Sequence, residues 1–312
     1  MFKYLVMRLL GMIPLLLVVL VIIFTLGHLA PGDPIEMMYD SMDTVIATEE
    51  MVDRARARFG LDQPLHLQFI NYARNILQGN LGDSIIRNRP VLQMILKVFP
   101  ISAQVGVLAF IVLAIIGIPL GVLAAIKQNT PLDYLIVGGS LFLRTVPVYV
   151  LAPLLFIILV LQLDVMNVPY GWKGISHSNV IMPTLMLVLF PLAVVIRQMR
   201  IGILEVINND YVRTARAKGL RERRVILVHV MRNAITPVVT SLGLIVTGLI
   251  TGSIFIEQIF GIPGFGNLFV TSLIQRDYPL MMGCTLFGAF LIMTSNLIVD
   301  FIYPFLDPRV TL

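Results

Sequence analysis

Residues 9–29 read L-L-G-M-I-P-L-L-L-V-V-L-V-I-I-F-T-L-G-H-L, an apolar run without a charged side chain. About twenty such residues wound as a helix match the ~30 Å hydrocarbon core of a bilayer. Comparable runs recur at about 101–126, 134–162, 180–200, 236–258 and 280–304. Lipid offers the backbone no hydrogen-bond partner, so a spanning segment must be a helix or part of a closed barrel. Barrel strands alternate polar and apolar residues over about ten positions. These runs do not alternate, so the expected fold is an all-α membrane protein with six transmembrane helices.

Composition agrees: 57% of the 312 residues are hydrophobic and 13% are charged, and the mean hydropathy is +0.89. The net charge of +5 does not point to nucleic acid. The basic residues stand in short segments beside apolar runs, where they record topology and meet anionic lipid head groups. Cys284 is the single cysteine and lies inside an apolar run, so no intrachain disulfide is available and the thiol reads as packing.

Sidedness follows from the basic residues. Lys3 and Arg8 precede the first run and place the N-terminus inside. The run is too long for a signal-peptide core and no small-x-small cleavage site precedes A-P-G-D-P at 30–34, so it reads as a retained helix. His28 at its outer end reads as an interfacial polar residue rather than a ligand. Lys127 marks the inner end of the second run, Arg197 and Arg200 that of the fourth, and Arg309 follows the sixth. Both termini are therefore expected in the cytoplasm. Tyr170 and Trp172 sit in the outer loop 163–179, as an interfacial aromatic belt would place them.

Residues 30–98 form the longest polar segment, which this topology places outside. T-E-E-M-V-D-R-A-R-A-R-F-G at 48–60 reads as a helix that starts after Thr48 and stops at Gly60. Alternating charges of this kind describe a solvated helical face, with a docking surface for an external partner as the alternative. Residues 1–98 thus hold the first helix and a large outer loop, and 99–312 hold five helices and a basic inner loop at 205–235.

Chemistry of other kinds finds no residues to carry it. No G-x-x-x-x-G-K-[ST] loop is present to cradle phosphates. His28, His66, His177 and His229 are scattered, with no carboxylate at ligand spacing. Gly252-Ser253 reads as small-residue helix packing rather than as a nucleophile. A channel or secondary transporter acting alone would carry a relay of ionisable groups within its spans. Here only Arg144 stands well inside one, with Glu257 and Asp300 near span ends. An arginine ten residues into a span must face the bundle interior or snorkel, so Arg144 is a candidate pore-lining residue on a substrate path. Pro147 and Pro153 interrupt the same run.

The basic inner loop reads E-V-I-N-N-D-Y-V-R-T-A-R-A-K-G-L-R-E-R-R-V-I-L-V-H-V-M-R-N-A-I-T-P over 205–237. Asp210 can cap a helix starting at Tyr211, and Gly219 can end it. Ala215 and Gly219 lie four apart on one face, which is smooth enough for close approach, while Arg213, Arg216 and Lys218 spread charge over the rest. Such a helix suits insertion into a groove on a cytoplasmic protein. A basic loop lying on anionic lipid is the alternative that the residues leave open.

At this segment the chain resembles the permease subunits of ABC importers, in the branch that handles peptides, glutathione or nickel. The general signature of those permeases is E-A-A-x-x-x-G, and here Arg213 stands in place of the glutamate, followed by Thr214, Ala215 and Gly219. D-Y-V-R-T-A-R-A-K-G at 210–219 with H-V-M-R-N-A-I-T-P at 229–237 is similar to the peptide-type pattern. So are A-P-G-D-P at 30–34, F-G-L-D-Q-P-L at 59–65, G-N-L-G-D-S at 79–84, G-S-I-F-I-E-Q-I-F-G-I-P-G-F-G at 252–266, R-D-Y-P at 276–279 and D-P-R at 307–309. The resemblance covers essentially the whole chain and points to the first of the two permeases in such systems. Arg144 has no counterpart in that pattern.

The resemblance implies a type I ABC importer permease fold in the cytoplasmic membrane of a prokaryote. A second homologous permease would complete the pore, two cytoplasmic ATPases would hold ATP and Mg, and an outer binding protein would deliver substrate. This chain would bind no cofactor and no metal and catalyse nothing. Asp210, Tyr211, Arg213, Thr214, Ala215, Arg216, Ala217, Lys218 and Gly219 would form the coupling helix that docks on the ATPases.

Overall fold

The computed structural model describes residues 2–29, 35–36, 39, 48–250 and 254–306, with backbone alone at 2–6, 250, 300 and 302–306. The motifs at 30–34 and 307–309, Arg309 and the Gly252-Ser253 pair lie outside the described residues, as does the Asp300 side chain. The described chain is helical, and an isolated bridge between Asp83 and Pro90 is its one β feature.

Among the described residues four helices are long and apolar enough to cross a membrane: α1 (Phe2–Leu29), α4 (Val91–Ile126), α7 (Ile181–Val206) and α12 (Tyr278–Leu306). Between α1 and α4 lie α2 (Glu49–Phe59) and α3 (Leu65–Leu77). Thr48 stands at the N-cap position of α2, its carbonyl accepting from the Met51 and Val52 amides, and Gly60 ends the helix at φ 67, with its amide bonded to the Ala57 carbonyl. Only glycine takes that conformation without a Cβ penalty.

Two of the expected spans are bent. Residues 134–162 were expected as one interrupted span, but the chain forms α5 (Pro131–Thr145) and α6 (Val148–Phe156), the latter running into a π-helical turn Ile157–Gln162, and the two pieces meet at 103°. Proline causes the break. Pro147 has no amide hydrogen to give and forces Val146 out of the helical region, to φ −76 and ψ 122. The second bend, of 58°, separates the helical stretch Glu222–Ala234 from α9 (Thr236–Ile250) just before Pro237. Among the described residues four unbroken helices and two bent pairs therefore account for up to six crossings. Short helices α10 (Ile254–Ile259) and α11 (Phe265–Ile274) follow.

Packing divides the chain into two units, residues 1–101 with 263–293 and residues 102–262 with 294–312. The sequence-based division assigned 263–293 to the second part. In the first unit, Val91 and Ile95 of α4 pack against Phe265 and Leu268 of α11 and Leu280 and Cys284 of α12. Buried Asp277 accepts hydrogen bonds from the Ser84 hydroxyl and, at 3.3 Å, from the Ile85 amide, which fastens the 79–90 turn to the head of α12. His28 joins α1 to α3 by contacting Gln68 Oε1 at 3.0 Å.

In the second unit α7 is the central helix. Its span is 72% buried, against 17–28% for the other three, and α5, α9 and the 222–234 stretch pack on it. Gly117 and Gly121 of α4 lie against α7: a Cβ at Gly117 would fall 2.8 Å from Val195 Cγ1, and one at Gly121 2.5 Å from Met199 Cβ. This is the small-residue spacing that lets helices approach closely in lipid. Asp133, in the first turn of α5, is buried and takes two hydrogen bonds of 2.8 Å from Arg200 of α7. The 163–180 loop is held to the turn after α10, where the Gly171 amide donates to the Phe260 carbonyl at 2.8 Å. Tyr170 lies on Gly261, where any Cβ would strike its ring, so it packs on protein as well as facing outward.

Candidate functional site

The basic loop folds into α8 (Asp210–Ala217). Asn209, one residue earlier than expected, is the N-cap, with φ −68 and ψ 152; its carbonyl accepts from the amides of Val212 and Arg213. Gly219 ends the helix at φ 75, its amide bonded to the Arg216 carbonyl. Asp210 at the start and Arg216 and Lys218 at the end complement the helix dipole.

One expectation is corrected here. Ala215 does not share an outward face with Gly219: it is buried, with Val212, against the Val225–Val230 stretch. An eight-residue helix lying on a protein surface needs an inner face, and these are its only apolar residues spaced three apart. The exposed surface is formed by Asp210, Tyr211, Arg213, Thr214, Arg216, Ala217, Lys218 and Gly219.

Two polar contacts pin α8 to the 222–234 stretch. Near its start, the Asn233 amide donates to the Tyr211 hydroxyl at 2.8 Å. At its end, Arg216 grips Glu222 through bonds of 2.7 and 3.2 Å. That bond to the Glu222 carboxylate raises the Arg216 pKa above its ordinary value and keeps it charged. At the far end of the stretch Gly202 of α7 lies directly under Ala234, where an added Cβ would fall onto the Ala234 carbonyl oxygen. A continuous set of contacts thus runs from α8 through the 222–234 stretch to α7.

Arg144 is placed in the last turn of α5, at the break before Pro147. It is exposed, and its guanidinium carbon sits 4.9 Å from the centre of the Phe190 ring on α7, a cation–π distance. It lines a cavity of about 670 Å³ with Pro147, Tyr149, Phe190, Leu244 and Phe255, among other apolar side chains. The Asp133–Arg200 pair and the burial of Val212 escaped sequence reasoning. An acid two residues after a helix-opening proline, in an apolar run that needs a partner for it, was the available signal for the pair.

Comparison with known proteins identifies the class. Residues 117–312 match the family described as the inner membrane component of binding-protein-dependent transport systems, and residues 1–106 match the N-terminal part of such membrane components. The chain belongs to this family and is a membrane-spanning permease of a binding-protein-dependent importer, in agreement with the resemblance noted in its sequence. It is similar over 311 residues, at 35% identity and 99% coverage of both chains, to the oligopeptide transport system permease protein OppB of Haemophilus influenzae. The oligopeptide permease AppB of Bacillus subtilis is 35% identical over 316 residues, with 98% of each chain covered. The dipeptide permease DppB of the same organism is 36% identical over 312 residues, covering 99% of this chain and 98% of its own. Among solved structures, the MetNI methionine ABC transporter in an inward-facing form matches with a TM-score of 0.59 at 13% identity, covering 69% of this chain and 97% of that chain. The likeness to MetNI is one of fold, that of an ABC importer permease.

Proposed function

We propose that this chain is half of a heterodimeric pore that carries small peptides across the cytoplasmic membrane of a prokaryote. A second, homologous permease completes the pore. Two cytoplasmic ATPases bind ATP and Mg and dock on α8, and an outer binding protein delivers the peptide. In this reading the two bent pairs each make one span, giving six spans with both termini in the cytoplasm. The outer loop 30–98 meets the binding protein or forms part of the outer gate. The chain holds no cofactor or metal and has no catalytic residue.

The observation that carries this reading is α8 itself: a basic helix exposed on one side and pinned at both ends to the stretch that leads into α9. A helix so held moves with whatever it docks on, which is the two-state coupling that alternating access needs. Arg213→Glu with Lys218→Glu should leave the protein in the membrane at normal yield while abolishing co-purification of the ATPases and peptide uptake. Undiminished co-purification would remove α8 from the docking site.

A further inference from the structure

Arg144 is the only charged residue among the described residues lining its cavity, and no carboxylate among the described residues pairs with it. It stands thirteen residues beyond Pro131, about 20 Å along α5 at 1.5 Å per residue, which is far from the basic end where cytoplasmic lipid phosphates lie. A guanidinium in an apolar site at membrane depth needs water or an anion. The Phe190 ring beneath it attracts the cation but leaves its hydrogen-bond donors unused. Opposite stands an apolar wall that includes the tilted pair Tyr149 and Phe255, with ring centres 6.1 Å apart.

We infer that this cavity is a transient subsite for the C-terminal carboxylate of a translocating peptide, held by Arg144, with the apolar wall accepting side chains. This deepens the peptide-import reading and rests on it. The chemistry fits on three counts. A planar guanidinium takes a carboxylate through two parallel bonds. Every linear peptide with a free C-terminus carries that carboxylate whatever its sequence, and a wall of Leu, Val, Ile and aromatic side chains imposes no polar pattern on the remainder. The volume, about 670 Å³, is that of a small-ligand site. The lone positive charge also orients the substrate, because the peptide ammonium is repelled from the end that Arg144 occupies.

The test uses the complete transporter in two formats. In nanodiscs without the binding protein, labelled Leu-Leu-Leu should bind the unaltered complex about tenfold more tightly than its C-terminal amide, the loss expected when a charge-assisted bond is removed. Arg144→Gln should abolish that preference by weakening the acid alone, and Arg144→Lys should restore part of it. In proteoliposomes with the binding protein, Arg144→Gln should slow uptake of the free acid more than uptake of the C-terminal amide. Equal affinity for acid and amide in the unaltered complex, or equal loss of both in Arg144→Gln, would overturn the subsite. No uptake of Leu-Leu-Leu by the unaltered complex would overturn peptide import itself, with the nanodisc result still judging Arg144.

Discussion

Arg200 grips Asp133 with both arms of its guanidinium, through two bonds of 2.8 Å, and the acid is only 3% exposed. The pair joins the first turn of α5 to α7, and the Asn129 amide adds a third bond, of 2.9 Å, to the same carboxylate. Removing one partner from a buried pair leaves the other uncompensated, which costs about 3 kcal/mol or more. Asp133→Ala should therefore lower the melting temperature of the purified permease sharply. Asp133→Leu with Arg200→Met should recover much of the loss, because an apolar pair of similar volume leaves no charge unpaired.

Gly121 tests the contact of α4 with α7. Its Cβ position lies 2.5 Å from Met199 Cβ and 2.9 Å from the Ile196 carbonyl oxygen, so even Gly121→Ala must push the helices apart. Overpacking of this kind costs about 1–3 kcal/mol. The loss should appear in thermal denaturation and be relieved in part by Met199→Gly, which removes the Cβ that the new methyl meets.

At the surface the expectation reverses. Arg216 and Glu222 are 38% and 55% exposed, and pairs so exposed contribute at most about 1 kcal/mol to stability. Arg216→Ala should barely move the melting temperature, yet it frees one end of α8 and should uncouple ATP hydrolysis from uptake in the reconstituted transporter. Equal coupling ratios in variant and parent would show that the Tyr211–Asn233 contact alone suffices.

Gly261 combines two constraints. Its φ is 60 and the Tyr170 ring covers its Cβ position. Gly261→Ala should cost about 1–3 kcal/mol through backbone strain plus displacement of the ring. Adding Tyr170→Ala should remove the steric part alone, so a partial recovery in melting temperature is the expected result.

What sequence reveals here follows from the range of each interaction. The apolar runs of α1, α4, α7 and α12 declare themselves because lipid burial acts on contiguous residues, and Gly60 and Gly219 stop helices through their own φ. Pro147 marked a break, but its angle depends on what α5 and α6 pack against. Asp133 and Arg200 are 67 positions apart, and no local rule joins them. Ala215 was assigned the wrong side because a short helix presents several small or polar faces, and only the packing of Val225–Val230 decides which one turns inward. Arg144 stood out by its place inside an apolar run, whereas the cavity around it is assembled from four separate stretches of chain.

Gly202 meets Ala234 backbone to backbone, with no side chain between them. Side chains absorb small displacements by changing rotamer, as a cushion does; two backbones in contact cannot. In the proposed docking of α8 on the ATPases this crossing acts as a fulcrum: a push on α8 that lifts the 222–234 stretch turns about this point, and the bend before Pro237 converts that turn into tilt of α9. Any larger residue at 202 would wedge the two backbones apart and shift the bearing itself.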